Sequence, residues 1–190
     1  LDGRAQVFDF RGDWPVGVEG LLGTGIALVD RVAEILTDLE GEFALLALML
    51  AFYALGDGLI ELSMIAGAVS FAAGHLVAIA IYYRHRRVGA VFSQKLLALC
   101  LLVLTPFIAY FLPGSSEEGL QVAAYSVILG AMAAMAWSSN FPRYRVGVGA
   151  VFFVISDLLI FARLGPLANS EITSLAIWYL YYFGVLMIAI

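Results

Sequence analysis

The sequence predicts an all-α fold, a polytopic transmembrane helix bundle with six spans and an N-terminal amphipathic helix. Three observations carry this expectation. Apolar residues make up 63% of the 190-residue chain and charged residues only 13%. The mean hydropathy is +0.96, far above that of a soluble domain. Six apolar stretches also have the roughly 17–25 residues that carry a helix across a bilayer.

Residues 1–42 stand apart as an acidic N-terminal segment. They hold nine acidic residues against three arginines, a net charge of −6, whereas residues 43–190 hold six against seven. From Leu21 to Leu39, apolar residues recur at helical spacing, with Asp30, Arg31, Glu34 and Asp38 between them. This predicts an amphipathic helix over 20–39 rather than a span. Its polar face is mostly acidic, which suits docking on the bundle or on a partner better than binding anionic lipid.

A transmembrane catalytic bundle is expected over 43–190. Residues 43–62 and 63–83 read as two spans in quick succession, ended by the basic cluster Arg84, His85, Arg86 and Arg87. Residues 95–112 are the third span, with a kink expected at Pro106, whose ring removes a helix hydrogen bond. PGSSEEG at 113–119 reads as a turn-rich acidic loop. Residues 120–137 form the fourth span, rich in the small residues that let membrane helices approach closely. The fifth and sixth spans are 146–162 and 174–190. Trp137, Tyr82, Tyr83 and Tyr110 lie near span ends, where aromatic belts sit.

Basic residues set the expected orientation. Arg84, Arg86, Arg87 and Lys95 lie between spans two and three, and Arg143 and Arg145 between four and five. Both loops are therefore expected on the cytoplasmic side, with residue 42 and the C-terminus. The expected setting is a bacterial inner membrane, or the endoplasmic reticulum in a eukaryote. The charge balance carries no nucleic-acid footprint, and the lone Cys100 has no intrachain partner. The chain opens on Leu1 with no basic region ahead of a short apolar core, so no signal peptide is expected, while upstream residues are.

Two carboxylates interrupt this apolar sequence. Asp57 and Asp157 each sit inside a span, where a charged side chain costs about 2.5–3.5 kcal/mol on insertion scales and usually marks a functional site. At 1.5 Å per residue, Asp57 lies about 21 Å and Asp157 about 16 Å above the start of its span. His75 descends from the other side to a similar level, so one pocket at middle to outer depth is expected. Glu61 and Tyr53, each four residues from Asp57, share its helix face. Glu61 also reads as a terminal charge reaching headgroup water, and His75 as a packing histidine. Ser156 either joins the site or bonds back to its own helix.

Several chemistries lack their residues. His75 and His85 cannot build a three-histidine zinc site, and no metal is expected. No G-x-S-x-G elbow, P-loop or G-x-G-x-x-G fingerprint occurs. Acid–base chemistry by carboxylates remains.

Four blocks occur in order: Gly56-Asp57; Gly67-x3-Phe71-x3-His75; Gly149-Ala150-x-Phe152-x3-Ser156-Asp157; and Tyr181-Tyr182-x-Gly184. In this the chain resembles the YhhN-like lysoplasmalogenases over roughly residues 45–190. The resemblance implies hydrolysis of the vinyl ether bond of a lysophospholipid, releasing a fatty aldehyde and a glycerophospho-ethanolamine or -choline. It implies Asp57 and Asp157 as the catalytic pair, with His75 and Tyr182 nearby. Val185 stands where the family usually has Gln, and Ala78 where a Tyr is often found. The family usually has about eight helices and an early Lys-Pro element; this chain shows six spans and no such element.

The implied chemistry needs no cofactor. One carboxylic acid protonates the alkene carbon, and the other, ionised, stabilises the cation and activates water. A small proton-coupled transporter using the same intramembrane carboxylates is the alternative, although no internal repeat supports it. A non-catalytic bundle held by polar contacts is a third reading.

Overall fold

The computed structural model describes residues 41–168 and 170–189. The amphipathic helix expected over 20–39 lies outside the described residues. The bundle belongs to the compact unit Leu45–Ile190.

Among the described residues six α-helices follow one another: α1 Glu42–Ile60, α2 Met64–Arg84, α3 Phe92–Phe111, α4 Ser116–Ser138, α5 Val148–Ala162 and α6 Glu171–Ala189. A π-helical turn, Arg143–Gly147, leads into α5. All six are long and apolar enough to cross a membrane, α5 together with its π turn. This all-helical fold is that of an integral multi-pass membrane protein. Among the described residues the only strand-like pairing is an isolated bridge between Arg86 and Ser139.

Helix boundaries follow local chemistry. α4 starts four residues earlier than expected because Ser115 caps it. The Ser115 hydroxyl accepts from the Glu118 N–H at 3.3 Å and donates to the Glu118 carboxylate at 2.9 Å. The S-x-x-E spacing is that of a capping box, although here the Glu118 carboxylate accepts from the Ser115 hydroxyl rather than from the backbone N–H, and the acidic stretch read as a loop supplies the first turn of a helix instead. Pro106 sits inside α3, which runs through it unbroken. α1 ends at Ile60, and Ser63 caps α2 by accepting from the Ala66 N–H.

Burial separates the central helices from the peripheral ones. Half of the α4 span is buried against 11% for α3, whose Leu99, Val103 and Phe107 face outward. Such a face suits lipid, where exposed apolar side chains cost nothing.

Two features fix the helices around the site. At the crossing of α5 and α6, Gly149 and Gly184 meet face to face. A Cβ on either would stand 2.8 Å from the carbonyl oxygen of the other, so only glycine permits this approach. At the basic end, the loops after α2 and α4 are stitched together. The Arg87 N–H donates to the Ser138 carbonyl at 3.0 Å, and the Asn140 N–H to the His85 carbonyl at 2.7 Å. The Arg87 side chain adds a bond from Nε to the Ser139 carbonyl at 3.2 Å. These bonds set the register of α2 against α4 and so seat His75 opposite Tyr125.

Candidate active site

Asp57 and Asp157 line one cavity of about 120 Å³. Asp57 stands in the last turn of α1, with Met64 and Ala68 from the start of α2 and Ile160 and Phe161 from the end of α5. The cavity therefore lies toward the end of the bundle away from the basic loops. Its remaining walls are mostly apolar and aromatic, including Phe71 and Trp178.

Each carboxylate receives one tyrosine hydroxyl. Tyr181 from α6 donates to Asp57 Oδ2 at 2.9 Å, and Tyr125 from α4 donates to Asp157 Oδ2 at 2.7 Å. Asp157 is buried, whereas Asp57 is half-buried. Each bond satisfies one oxygen of a group that is costly to bury alone.

His75 does not line the cavity. It is fully buried behind Tyr125, with Nε2 3.0 Å from the Tyr125 hydroxyl and Nδ1 3.0 Å from the Tyr53 hydroxyl. Four helices thus contribute to one hydrogen-bonded chain: Tyr53, His75, Tyr125 and Asp157. Tyr53 fits beside α2 because Gly74 leaves room for its ring; a Cβ there would come within 2.5 Å of it.

Aromatic rings pack around the chain. Phe153, fully buried on α5, lies edge-on to His75 at 4.9 Å and to Tyr181 at 5.2 Å between centroids. It also touches Tyr53 at 5.2 Å. This frame holds three hydrogen-bonding rings with little freedom.

The other expected site residues fall elsewhere. Ser156 lines the cavity, and its hydroxyl donates to the Ile177 carbonyl at 3.1 Å, stitching α5 to α6 rather than bonding within its own helix. Glu61 is exposed in the turn after α1, because the helix that would have placed it under Asp57 ends one residue earlier. Tyr182 is 57% exposed and stacks on Trp178. The tyrosine that meets a carboxylate is its neighbour, Tyr181. Among the described residues, no three His, Cys, Asp or Glu side chains gather as a metal site requires.

Tyr125 was not anticipated. A tyrosine in mid-span, far from the aromatic belts, needs a partner for its hydroxyl, and that was the available signal. Tyr181 was also readable: Gly184, the close-packing position of α6, shares a face with the residue three before it and not with the residue two before it.

A family model described as the YhhN family matches residues 23–190. No curated protein and no solved structure matches the chain.

Proposed function

The chain belongs to the YhhN family, and on that premise we propose that it is a membrane-embedded hydrolase of the vinyl ether bond of lysoplasmalogens. One observation carries the reading: two carboxyls from separate helices, Asp57 and Asp157, line one small and mostly apolar cavity. Acid and base are both at hand where a lipid chain is welcome.

The reaction balances with these two groups. One carboxylic acid gives its proton to the alkene carbon, the C=C electron pair forms the new C–H bond, and an oxocarbenium ion results. The second carboxylate stabilises that cation and takes a proton from the water that adds to it. In the hemiacetal, the first carboxylate removes the hydroxyl proton and the second acid protonates the departing oxygen. Aldehyde and glycerophospho-alcohol leave, and both carboxyls return to their starting states. No proton is consumed.

The cavity volume suits the reacting bond and water, not a whole lysolipid. The alkyl chain would lie between helices and the headgroup at the membrane surface. If the basic loops are cytoplasmic, the substrate comes from the opposite leaflet.

A proton-coupled carrier is the second reading, favoured by the hydrogen-bonded chain from Tyr53 to Asp157. Purified protein in detergent micelles, given a lysoplasmalogen and no gradient, separates the two. The hydrolase releases fatty aldehyde, and Asp57→Asn or Asp157→Asn lowers the rate about 10²–10⁴-fold, the usual worth of a general acid or base. No aldehyde from the wild type, or an undiminished rate in either variant, rejects the hydrolase.

A further inference from the structure

The surroundings of Asp57 and Asp157 differ, and the difference separates their roles. Asp157 is 7% exposed and walled in by apolar and aromatic groups. Asp57 is half-buried at the end of α1. A carboxyl shut away from water avoids the cost of a buried charge by staying neutral, whereas one within reach of water carries its charge more cheaply. Paired catalytic carboxylates divide their work on this basis.

Behind Asp157 the hydrogen-bonded chain has a direction. The single Tyr125 proton goes to Asp157 Oδ2. The Tyr125 oxygen therefore accepts from His75, so Nε2 carries the ring proton. Nδ1 is left to accept from the Tyr53 hydroxyl. Every donor in the chain points toward Asp157, and His75 is neutral in one tautomer. The tautomer follows with Asp157 Oδ2 as the acceptor, a role it keeps when the carboxyl proton is on Oδ1.

Resting on the hydrolase reading, we propose that Asp157 is the proton donor of the pair and Asp57 its ionised counterpart. Tyr125, held by His75 and Tyr53, is a positioning residue that supports the negative charge Asp157 acquires. In this assignment Oδ1 carries the acidic proton, since Oδ2 accepts from Tyr125. When the proton passes to the alkene carbon, the O–H electron pair stays on the carboxylate and is shared with Oδ2. There the Tyr125 donor is already in place, and a polarised chain of donors strengthens it without reorganisation. The other titratable groups around Asp157 are Asp57 and Tyr181 at the shared cavity, with His75 and Tyr53 behind Tyr125.

Infrared spectroscopy of the purified full chain in micelles tests the assignment without turnover. The C=O stretch of a protonated carboxyl should vanish in Asp157→Asn and persist in Asp57→Asn; the reverse pattern, or no such band in the wild type, overturns it. Where Asp157→Asn fails to fold, Tyr125→Phe decides: loss of the donor to Oδ2 shifts that band, and Tyr181→Phe leaves it in place. Nitrogen-15 spectra of labelled histidine should show His75 protonated on Nε2, and protonation on Nδ1 rejects the directed chain. In turnover, Tyr125→Phe should lower kcat about 100-fold, the cost of one lost donor to a developing anion, with KM little changed. His75→Gln, whose amide accepts from Tyr53 and donates to Tyr125, should keep more kcat than His75→Leu. Equal losses would reduce His75 to packing. Absence of any aldehyde release rejects the hydrolase, while the infrared and nitrogen-15 results still decide the protonation states.

Discussion

The Tyr181 hydroxyl lies 2.9 Å from Asp57 Oδ2, joining α6 to α1 across 124 positions of sequence. Its neighbour Tyr182 points outward, 57% exposed and stacked on Trp178 at 5.3 Å. Two adjacent tyrosines thus have opposite surroundings, and the same deletion of one oxygen should have opposite results. Tyr181→Phe leaves Asp57 without its tyrosine partner and should lower kcat/KM by about 10-fold, corresponding to the roughly 1.5 kcal/mol of a hydrogen bond to a charged group. Tyr182→Phe should stay within about twofold of wild type. Steady-state aldehyde release checks both, and an equal effect would mean that the α6 face is misassigned.

Glu61 offers a second contrast. Helical spacing places it under Asp57, but α1 ends at Ile60 and Glu61 is exposed in the following turn. Glu61→Gln is expected to leave kcat and KM unchanged within about twofold, since solvated surface charges away from a site contribute little. A large fall in kcat would place Glu61 in the reaction after all.

These contrasts show how much of the molecule was legible. Six spans could be read because apolar length is a strong signal, and Ser115 with Glu118 could have extended the fourth by its capping pattern. Asp57 and Asp157 could be read because an intramembrane carboxylate is costly. That Tyr181 rather than Tyr182 faces inward could be read from Gly184, but which carboxylate each inward tyrosine meets could not, since that depends on helix rotation. Rotation is set by contacts such as Gly149 against Gly184 and Gly74 against the Tyr53 ring. His75 illustrates the same limit: its depth was readable, but its place behind Tyr125 rather than at the cavity was not.

The α5–α6 crossing should be sensitive to an added methyl group. A methyl at Gly149 or Gly184 would stand 2.8 Å from the partner carbonyl and must push the helices apart. Gly149→Ala or Gly184→Ala is expected to cost about 1–3 kcal/mol, the usual range for overpacking. At Gly58 on α1 an added Cβ meets nothing within 4 Å. Gly58→Ala should be neutral or stabilise by about 0.5–1 kcal/mol through helix propensity. Thermal unfolding in one detergent measures all three, and a neutral Gly149→Ala would contradict the close crossing.

Access to the cavity can be blocked from α2. Ala68, one turn into α2, lines the cavity beside Asp57 and makes no hydrogen bond with either carboxylate. Enlarging it fills space that the reacting bond would occupy, yet leaves Asp57, Asp157 and their tyrosine partners in place. The cavity itself takes up the larger side chain, so serious overpacking is not expected. Ala68→Phe should therefore raise KM or abolish turnover while thermal stability in detergent changes by less than about 1 kcal/mol. Ala80, exposed farther along the same helix, is the matched control, and Ala80→Phe should leave both unchanged. If Ala68→Phe keeps wild-type kcat and KM, the lipid does not react in this cavity, and the carboxyl pair that lines it loses its substrate.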